Sequence, residues 1–295
     1  FPGAAKARME VLVDNLLTAF GESIDDLGWM SDETKAMAQD KRLRFTTKIG
    51  YPDVWRDYSD LDIERNDLFG NVVRSRQFEH MRQVRKLGQP VDRTEWGMTP
   101  QTVNAYFNPT LNEIVFPAAI LQPPFFNIEA EDAVNYGGIG AVIGHEIGHA
   151  FDDQGRRFDG GGELNDWWTE EDAVAFEAAA GMLVAQYDEF EALPELNVNG
   201  QLTLGENIGD LTGATIGWRA YVASLDGAEP PVIDGFTAQE RYLIGFAQIW
   251  RNLSTDEALR AQVVGDPHSP SSFRANGTLM NLPLFIETYG VHEGD

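Results

Sequence analysis

The chain has 295 residues, of which 43% are hydrophobic and none is cysteine. It can therefore bury a large core, but it can form neither disulfides nor thiolate metal sites. Its 47 acidic residues outnumber its 22 basic ones, mostly after residue 100, and this negative field would repel a nucleic-acid partner.

No apolar stretch reaches the roughly 18 residues that a membrane-spanning helix needs, so no membrane segment is expected within this chain. A chain that begins with Phe rather than Met is expected to be a fragment or a processed product.

The first hundred residues are predicted to be mainly helical. Apolar residues recur at helical spacing in residues 6–20 and again in residues 63–86. Ser31 has the side chain of a helix N-cap, and the two acidic residues after it suit the positive end of a helix dipole. Residues 49–53 contain Gly and Pro, and this composition predicts a loop.

A short β element followed by more helices is predicted after residue 100. Two strands are expected at residues 102–107 and 113–116, separated by a turn at Asn108-Pro109. Helical patterns follow at residues 134–153, from Thr169 onward, and at residues 206–224, 237–252 and 282–289. The sequence therefore predicts a mainly α fold (α+β) with one small β element.

One predicted helix contains the pattern His145-Glu146-Ile147-Gly148-His149. Residues four apart lie on one face of a helix, so both imidazoles can point at one ion while Glu146 lies beside it. The alternative is two surface histidines on an ordinary helix. It is disfavoured because the surrounding apolar residues would bury both rings without partners. The pattern predicts two metal ligands and a general base.

A catalytic zinc ion normally has three protein ligands and one open position, so a third ligand is needed elsewhere. Glu206 and Asp210 are one helical turn apart, so Glu206 could bind the metal while Asp210 accepts a hydrogen bond from a ligand imidazole. Spacing alone does not single out this pair among 47 acidic residues. Asp152 and Asp153 follow His149 too closely to reach round the ion, and Asp152 is better suited to holding an imidazole.

Motifs along nearly the whole chain resemble the neprilysin family of zinc metallopeptidases, in a bacterial, cysteine-free form. They lie at residues 49–52 (IGYP), 103–106 (VNAY), 114–126 (IVFPAAILQPPFF), 135–153, 167–169 (WWT), 205–210 and 266–277 (DPHSPSSFRANG). The resemblance implies a gluzincin, thermolysin-like zincin catalytic domain at residues 101–295. Residues 1–100 would then be a helical scaffold that ends the family's N-terminal region.

The same resemblance implies one Zn²⁺ per chain, bound by His145, His149 and Glu206. Glu146 would be the catalytic base, and Asp210 would orient a ligand histidine. Relative to the family's pattern, the given sequence is expected to lack the second, N-terminal lobe and the tryptophan that usually ends the family's sequences. A fragment without catalytic activity is therefore kept as an alternative.

Further residues obtain roles from the resemblance alone. His268 resembles the family's transition-state histidine and Arg274 the arginine that grips the substrate backbone. A lone histidine in a Pro-rich loop is ordinarily solvated, however, and Arg274 could be an ordinary ion-pair partner. Asn104 and Ala105 resemble the substrate-binding strand, with a plain hairpin strand as the alternative. Five residues match the pocket for the residue after the cut bond but are equally typical of a core: Ile120, Phe125, Val142, Ile249 and Trp250.

The expected function is hydrolysis of short peptides, with an apolar residue preferred after the cut, by a zinc-bound water that Glu146 activates. Two alternatives remain: a metal- or peptide-binding fragment without catalysis, and an acidic helical scaffold. Family members commonly face outside the cytoplasm, so the resemblance implies a periplasmic, secreted or membrane-anchored location. The sequence predicts neither the natural substrate nor the oligomeric state.

Overall fold

Helices dominate the computed structural model, which describes residues 1–292 and Gly294. The predicted mainly α fold with a small β element is confirmed. The chain divides into two compact units, one formed by Phe1–Gly50 with Pro100–Asp295 and the other by Tyr51–Thr99. The separation of a helical scaffold from a catalytic part near residue 100 stays a prediction.

Most helices lie close to their predicted places, although two helices, at Asp256–Gly265 and Ser271–Leu279, lie where the sequence predicts no element. Each helix in the described part of the chain is either too short or too polar to span a bilayer. In chain order the helices are α1 (Gly3–Asp26), α2 (Asp32–Leu43), α3 (Leu68–Arg85), α4 (Asp132–Asn135), α5 (Ala141–Gly148), α6 (Glu170–Asp188), α7 (Leu204–Ser224), α8 (Ala238–Ile249), α9 (Asp256–Gly265), α10 (Ser271–Leu279) and α11 (Pro283–Tyr289).

Side-chain caps fix where several helices begin. Ser31 caps α2 and Thr169 caps α6, each by accepting the backbone N–H three residues further on. At the start of α8, Thr237 and Glu240 form a complete capping box. The carboxylate of Asp172 also accepts the backbone N–H of Ser31 at 2.9 Å, and this bond ties the starts of α2 and α6 together.

The larger unit contains a small mixed sheet. Its strands are β1 (Thr46–Gly50), β2 (Tyr106–Asn108) and β3 (Glu113–Pro117), in the order β1-β3-β2. β3 pairs parallel with β1 and antiparallel with β2, so β2 is an edge strand. A short hairpin is formed by β4 (Glu191–Leu193) and β5 (Leu196–Asn197). The loop predicted at residues 49–53 therefore begins within a strand, and the strand predicted at residues 102–107 begins only at Tyr106.

The smaller unit consists of loops and α3. The helix predicted at residues 63–86 begins later than expected, where Asp67 accepts the backbone N–H of Gly70 at 2.9 Å. Every side chain of α3 is at least partly exposed. Within this unit, an ion pair between Arg82 and Glu95 links α3 to the loop that follows it.

The helix predicted at residues 134–153 is irregular and ends early. It comprises α4, a π-helical turn (Tyr136–Gly140) and α5, with His149 as the C-cap of α5. The carboxylate of Asp152 accepts the backbone N–H groups of Gln154 and Gly155, at 2.9 and 2.7 Å, and turns the chain away from the helix. The His-Glu-x-x-His pattern therefore occupies the end of a helix.

Glycines bring α5 and α7 unusually close together. A Cβ atom added to Gly213 of α7 would lie 2.1 Å from the carbonyl oxygen of Ala141, and one added to Gly144 of α5 would lie 2.9 Å from the Cα of Gly213. A Cβ atom on Gly209 would lie 2.7 Å from Nδ1 of His145. The absence of these methyl groups lets the histidine-bearing helix lie directly against α7.

Candidate metal centre

Two histidines from the end of α5 and one glutamate from the first turn of α7 converge on a single point. The ligand atoms of His145, His149 and Glu206 all lie within 4.8 Å of one another. Nε2 of His145 lies 3.2 Å from Oε2 of Glu206, and Nε2 of His149 lies 3.6 Å from Oε1. The structure thus brings together the three residues predicted to bind the metal.

A carboxylate contacts the other nitrogen of each of these imidazoles. Nδ1 of His145 lies 2.8 Å from Oδ1 of Asp210, and Nδ1 of His149 lies 2.7 Å from Oδ2 of Asp152. A carboxylate at Nδ1 fixes the ring orientation and leaves Nε2 as the metal-binding nitrogen. Both aspartates that the sequence suggested as partners of imidazoles are in contact with one.

The charged groups around this point stabilise a positive charge there. Burial alone would lower the pKa of His145, but hydrogen bonds to Asp210 and Glu206 outweigh it and raise the pKa to about 10. Burial would raise the pKa of Glu206, but its hydrogen bond to His145 and the nearby positive charges lower it to about 2. Both shifts express an excess of carboxylates around the imidazoles, which a bound cation would balance. The residues therefore fit a divalent metal ion.

Glu146 lies beside the metal-binding point and is almost fully buried. Burial raises the pKa of its carboxyl group, although the charges of His145 and His149 oppose the shift. A carboxyl group whose pKa is raised accepts a proton more readily and can give it back.

His268 approaches the same point from the loop between α9 and α10. Its Nε2 lies 3.2 Å from Oε2 of Glu206, and its Nδ1 lies 2.7 Å from Oδ1 of Asp266. The hydroxyl of the next residue, Ser269, donates to the side chain of Asn207 at 2.8 Å and fastens the loop to α7. The ring is thus held in place, and is not simply solvated. Sequence reasoning gave Asp266 no role, although its Asp-x-His spacing was the available signal.

Arg274 of α10 contacts two carboxylates of the site. Its Nε and Nη2 donate to the two oxygens of Asp210, each at 2.7 Å, and Nη2 lies 3.4 Å from Oε2 of Glu206. The guanidinium group stacks over Trp250, 4.1 Å from the ring centroid. The ion-pair alternative therefore describes part of the environment of Arg274, which also lines the pocket described next.

A pocket of about 380 Å³ surrounds these groups. Every predicted site residue lines it: Asn104, Ala105, Ile120, Phe125, Val142, His145, Glu146, His149, Glu206, Asp210, Ile249, Trp250, His268 and Arg274. Five further residues line it for which the sequence gave no role: Val103, Tyr106, Phe107, Ala141 and Phe246. Val103, Tyr106 and Ala141 lie within motifs of the family resemblance, which was the available signal, whereas Phe107 and Phe246 are ordinary apolar residues without a distinguishing signal.

Asn104 and Ala105 lie just before the edge strand β2 and not within it. The side-chain oxygen of Asn104 accepts the backbone N–H of Ala105 at 2.9 Å. Both residues face the pocket, so an extended chain that pairs with this edge would run past the metal-binding point.

Comparison with known proteins finds a match to a family of peptidases. The sequence matches models of peptidase family M13 over residues 1–52 and residues 104–295. It is 40% identical over 295 residues to an endothelin-converting enzyme homolog of Locusta migratoria, a match that covers 97% of this chain and 40% of that protein. It is 38% identical over 302 residues to neprilysin of Homo sapiens, with 98% of this chain and 40% of that protein covered.

Solved structures have the same fold. The zinc metalloprotease ZMP1 of Mycobacterium tuberculosis, in complex with an inhibitor, superimposes with a TM-score of 0.95 at 53% identity, over 99% of this chain and 45% of that one. PEPO from Lactobacillus rhamnosis superimposes with a TM-score of 0.90 at 33% identity, over 100% of this chain and 46% of that one. The chain spans about 40% of the length of the curated relatives named above.

Proposed function

This chain belongs to peptidase family M13, the neprilysin family, and on that premise we propose that it is a zinc-dependent endopeptidase acting on short peptides. The observation that carries the proposal is the convergence of His145, His149 and Glu206, with a carboxylate behind each imidazole. Two imidazoles and one carboxylate are a ligand set of catalytic zinc sites, and one Zn²⁺ per chain would occupy it.

The roles of the polar residues follow from their positions. His145, His149 and Glu206 would hold a zinc ion, which would supply Lewis-acid chemistry toward water and the peptide carbonyl group. Glu146, whose pKa is raised by burial, takes a proton from the attacking water and gives it to the leaving amine. The imidazolium form of His268, whose Nδ1–H is held by Asp266, donates a hydrogen bond from Nε2 to the oxyanion that develops on the carbonyl group. Asp210 holds the ring of His145.

The walls of the pocket suit an extended peptide with an apolar side chain after the cut. Asn104 and Ala105 offer backbone and amide groups beside the edge strand, and Arg274 lines the pocket near them. The side chain that follows the cut bond would enter an apolar part of the pocket, formed by Ile120, Phe125, Val142, Ile249 and Trp250.

Replacement of Glu146 by Gln separates catalysis from metal binding. The variant should retain one zinc per chain and lose at least about 100-fold in turnover of a fluorogenic peptide, because Gln cannot shuttle the proton. Glu189→Gln, at the exposed end of α6, is the matched control and should retain full turnover. Turnover in Glu146→Gln equal to that of the parent would contradict the assignment. Full zinc occupancy in His145→Ala would contradict the metal site.

Binding of metal or peptide without turnover is the second candidate. We keep this candidate because the chain spans only about 40% of the length of its curated relatives. The same fluorogenic assay, run with and without a chelator, separates the candidates: an endopeptidase shows chelator-sensitive cleavage, whereas a binding module shows zinc-dependent peptide retention and no product.

An extracytoplasmic location is part of the proposal and rests on the family resemblance. Fractionation of cells that produce the protein tests it. Recovery with the cytoplasmic fraction would contradict it.

A further inference from the structure

Lys41, in the last turn of α2, has a side chain with no exposed surface. Its Nζ donates hydrogen bonds to three backbone carbonyl oxygens, those of Ala150 at 2.7 Å, Gly155 at 2.8 Å and Phe158 at 2.5 Å. An ammonium group has three donor hydrogens, and each has an acceptor here. All three acceptors belong to the segment that follows the His-Glu-x-x-His pattern.

Aromatic rings complete the surroundings of the amino group. Its nitrogen lies 5.4 Å from the ring centroid of Phe151, 5.8 Å from that of Phe107 and 6.0 Å from that of Trp167. Such rings attract a cation through their faces. Burial of a lysine costs hydration and rotational freedom. Three carbonyl oxygens and three rings around one nitrogen offset this cost and form a specific binding site for the amino group.

The segment that Lys41 contacts is the one that carries Asp152. Ala150 precedes Asp152 and Gly155 ends the turn that Asp152 forms. The carboxylate of Asp152 accepts the N–H of Gly155 at 2.7 Å, while Lys41 binds the carbonyl oxygen of the same glycine. The turn is also tight, since a Cβ atom on Gly155 would lie 1.7 Å from the carbonyl oxygen of His149. Lys41 and Asp152 therefore hold one turn from two sides.

Two further contacts fix the backbone of Lys41 in place. The side-chain amide of Asn112, next to β3, donates to the backbone carbonyl of Lys41 at 2.9 Å. A Cβ atom on Gly160 would lie 3.0 Å from the Cα of Lys41, so the chain beyond the turn packs directly on α2. The amino group thus reaches the turn from a well-anchored backbone.

We propose that Lys41 is a positioning residue for the metal centre: it fixes the turn from Ala150 to Phe158 so that Asp152 holds the imidazole of His149 with Nε2 toward the ion. The inference rests on the proposed function for the identity of the ion. Carboxylates behind ligand histidines typically contribute roughly 10- to 100-fold in metal affinity, and Lys41 acts through that contribution.

A double-mutant cycle on zinc affinity, measured by competition with a chromogenic chelator, tests the proposal. Lys41→Met keeps the length of the side chain but removes its donors, and Asp152→Asn weakens the hold on His149. Each should weaken zinc binding by roughly 10- to 100-fold. The double variant should bind zinc no more weakly than the weaker single variant, because Lys41 acts through Asp152.

The matched control cycle pairs Lys41→Met with Asp210→Asn. Asp210 holds His145 from α7, so it does not depend on the turn that Lys41 fixes. The two effects on zinc affinity should therefore multiply. A purely structural role of Lys41 would give the same coupling in both cycles.

Multiplying effects in the Lys41–Asp152 cycle, or unchanged zinc affinity in Lys41→Met, would overturn the proposal. If Lys41→Met does not fold, Lys41→Gln, which retains an amide donor, takes its place in both cycles, after circular dichroism has shown that the metal-free variant is folded. A parent chain that binds no zinc would refute the proposed function, which is a different outcome from multiplying effects in a chain that does bind it.

Discussion

Gly213 of α7 is the position at which one methyl group most directly tests the spacing of the two ligand helices. A Cβ atom there would lie 2.1 Å from the carbonyl oxygen of Ala141 and 2.9 Å from the backbone nitrogen of His145, whereas ordinary contact begins at 3.4 Å. Both atoms belong to the backbone of the helical stretch that carries the histidines, so no side-chain rotation can relieve the clash. Gly213→Ala should force α5 and α7 apart by about 1 Å.

Two opposing contributions set the change in stability. Ala in place of Gly favours a helix by about 1 kcal/mol, while overpacking a tight interior costs about 1–3 kcal/mol. Because the clash is with backbone, we expect overpacking to prevail and the free energy of unfolding to fall by up to about 2 kcal/mol. Separation of the helices also moves Glu206 away from His145 and His149. Zinc affinity should therefore fall by at least about 10-fold, the scale on which partly displaced metal-site groups act.

Urea unfolding of the metal-free protein measures the stability, and chelator competition measures the zinc affinity. The control is Gly181→Ala on α6, where an added Cβ atom meets nothing within 4 Å. It should stabilise the protein by up to about 1 kcal/mol and leave zinc affinity unchanged. Parent-like stability and zinc affinity in Gly213→Ala would refute the view that backbone contact between α5 and α7 sets the metal site.

Three further results are expected. His268→Phe should lower kcat by at least about 10-fold with little change in KM, since it removes a hydrogen bond made in the transition state, and an unchanged kcat would rule out that role. Val142→Phe narrows the pocket, so cleavage before large apolar residues should fall by at least about 10-fold relative to cleavage before Ala in a peptide library; an unaltered profile would contradict the pocket assignment. Burial lowers the pKa of Lys41 from 10.5 to about 7, although the charges of Asp152 and Asp159 raise it. Between pH values equal to these two pKa values, the unfolded chain therefore binds more protons than the folded one. The free energy of unfolding of the parent relative to Lys41→Met should therefore rise across this window, by at most about 1.4 kcal/mol per pH unit. A pH-independent difference in urea unfolding would show that the pKa is not lowered.

Local signals in the sequence were sufficient where a short-range interaction decides the structure. Ser31, Thr169 and Thr237 each begin a helix because their hydroxyl groups accept a nearby backbone N–H. The His-Glu-x-x-His pattern likewise needs only helical spacing to bring two imidazoles together. The resemblance to a known family, which such motifs supported, is confirmed by the match to peptidase family M13.

Elements that depend on distant partners could not be found in this way. β1 exists because it pairs with β3, which is remote in sequence, and residues 46–50 alone do not alternate clearly enough to predict a strand. The early end of α5 depends on Asp152, whose carboxylate captures two backbone N–H groups. Asp152 was considered as a partner of an imidazole, but not as the residue that ends the helix.

The sequence predicted which residues line the pocket better than it predicted the contacts between them. Composition offered many acidic residues, and only the resemblance singled out Glu206 as a ligand. The contact of Arg274 with Asp210 and the bond between Ser269 and Asn207 arise from the packing of α10 and its preceding loop on α7. No pattern within either segment encodes that packing.

The two imidazole–carboxylate pairs differ in how far apart their members lie along the chain. His149 and Asp152 are three residues apart and share one turn, whereas His145 meets Asp210 only when α7 has docked. During folding, half of the metal-binding geometry can therefore form locally, and the other half is completed by the docking of two helices. A metal ion bound by His145, His149 and Glu206 would link α5 to α7. Its removal should therefore loosen the packing of this helix pair before it affects the sheet.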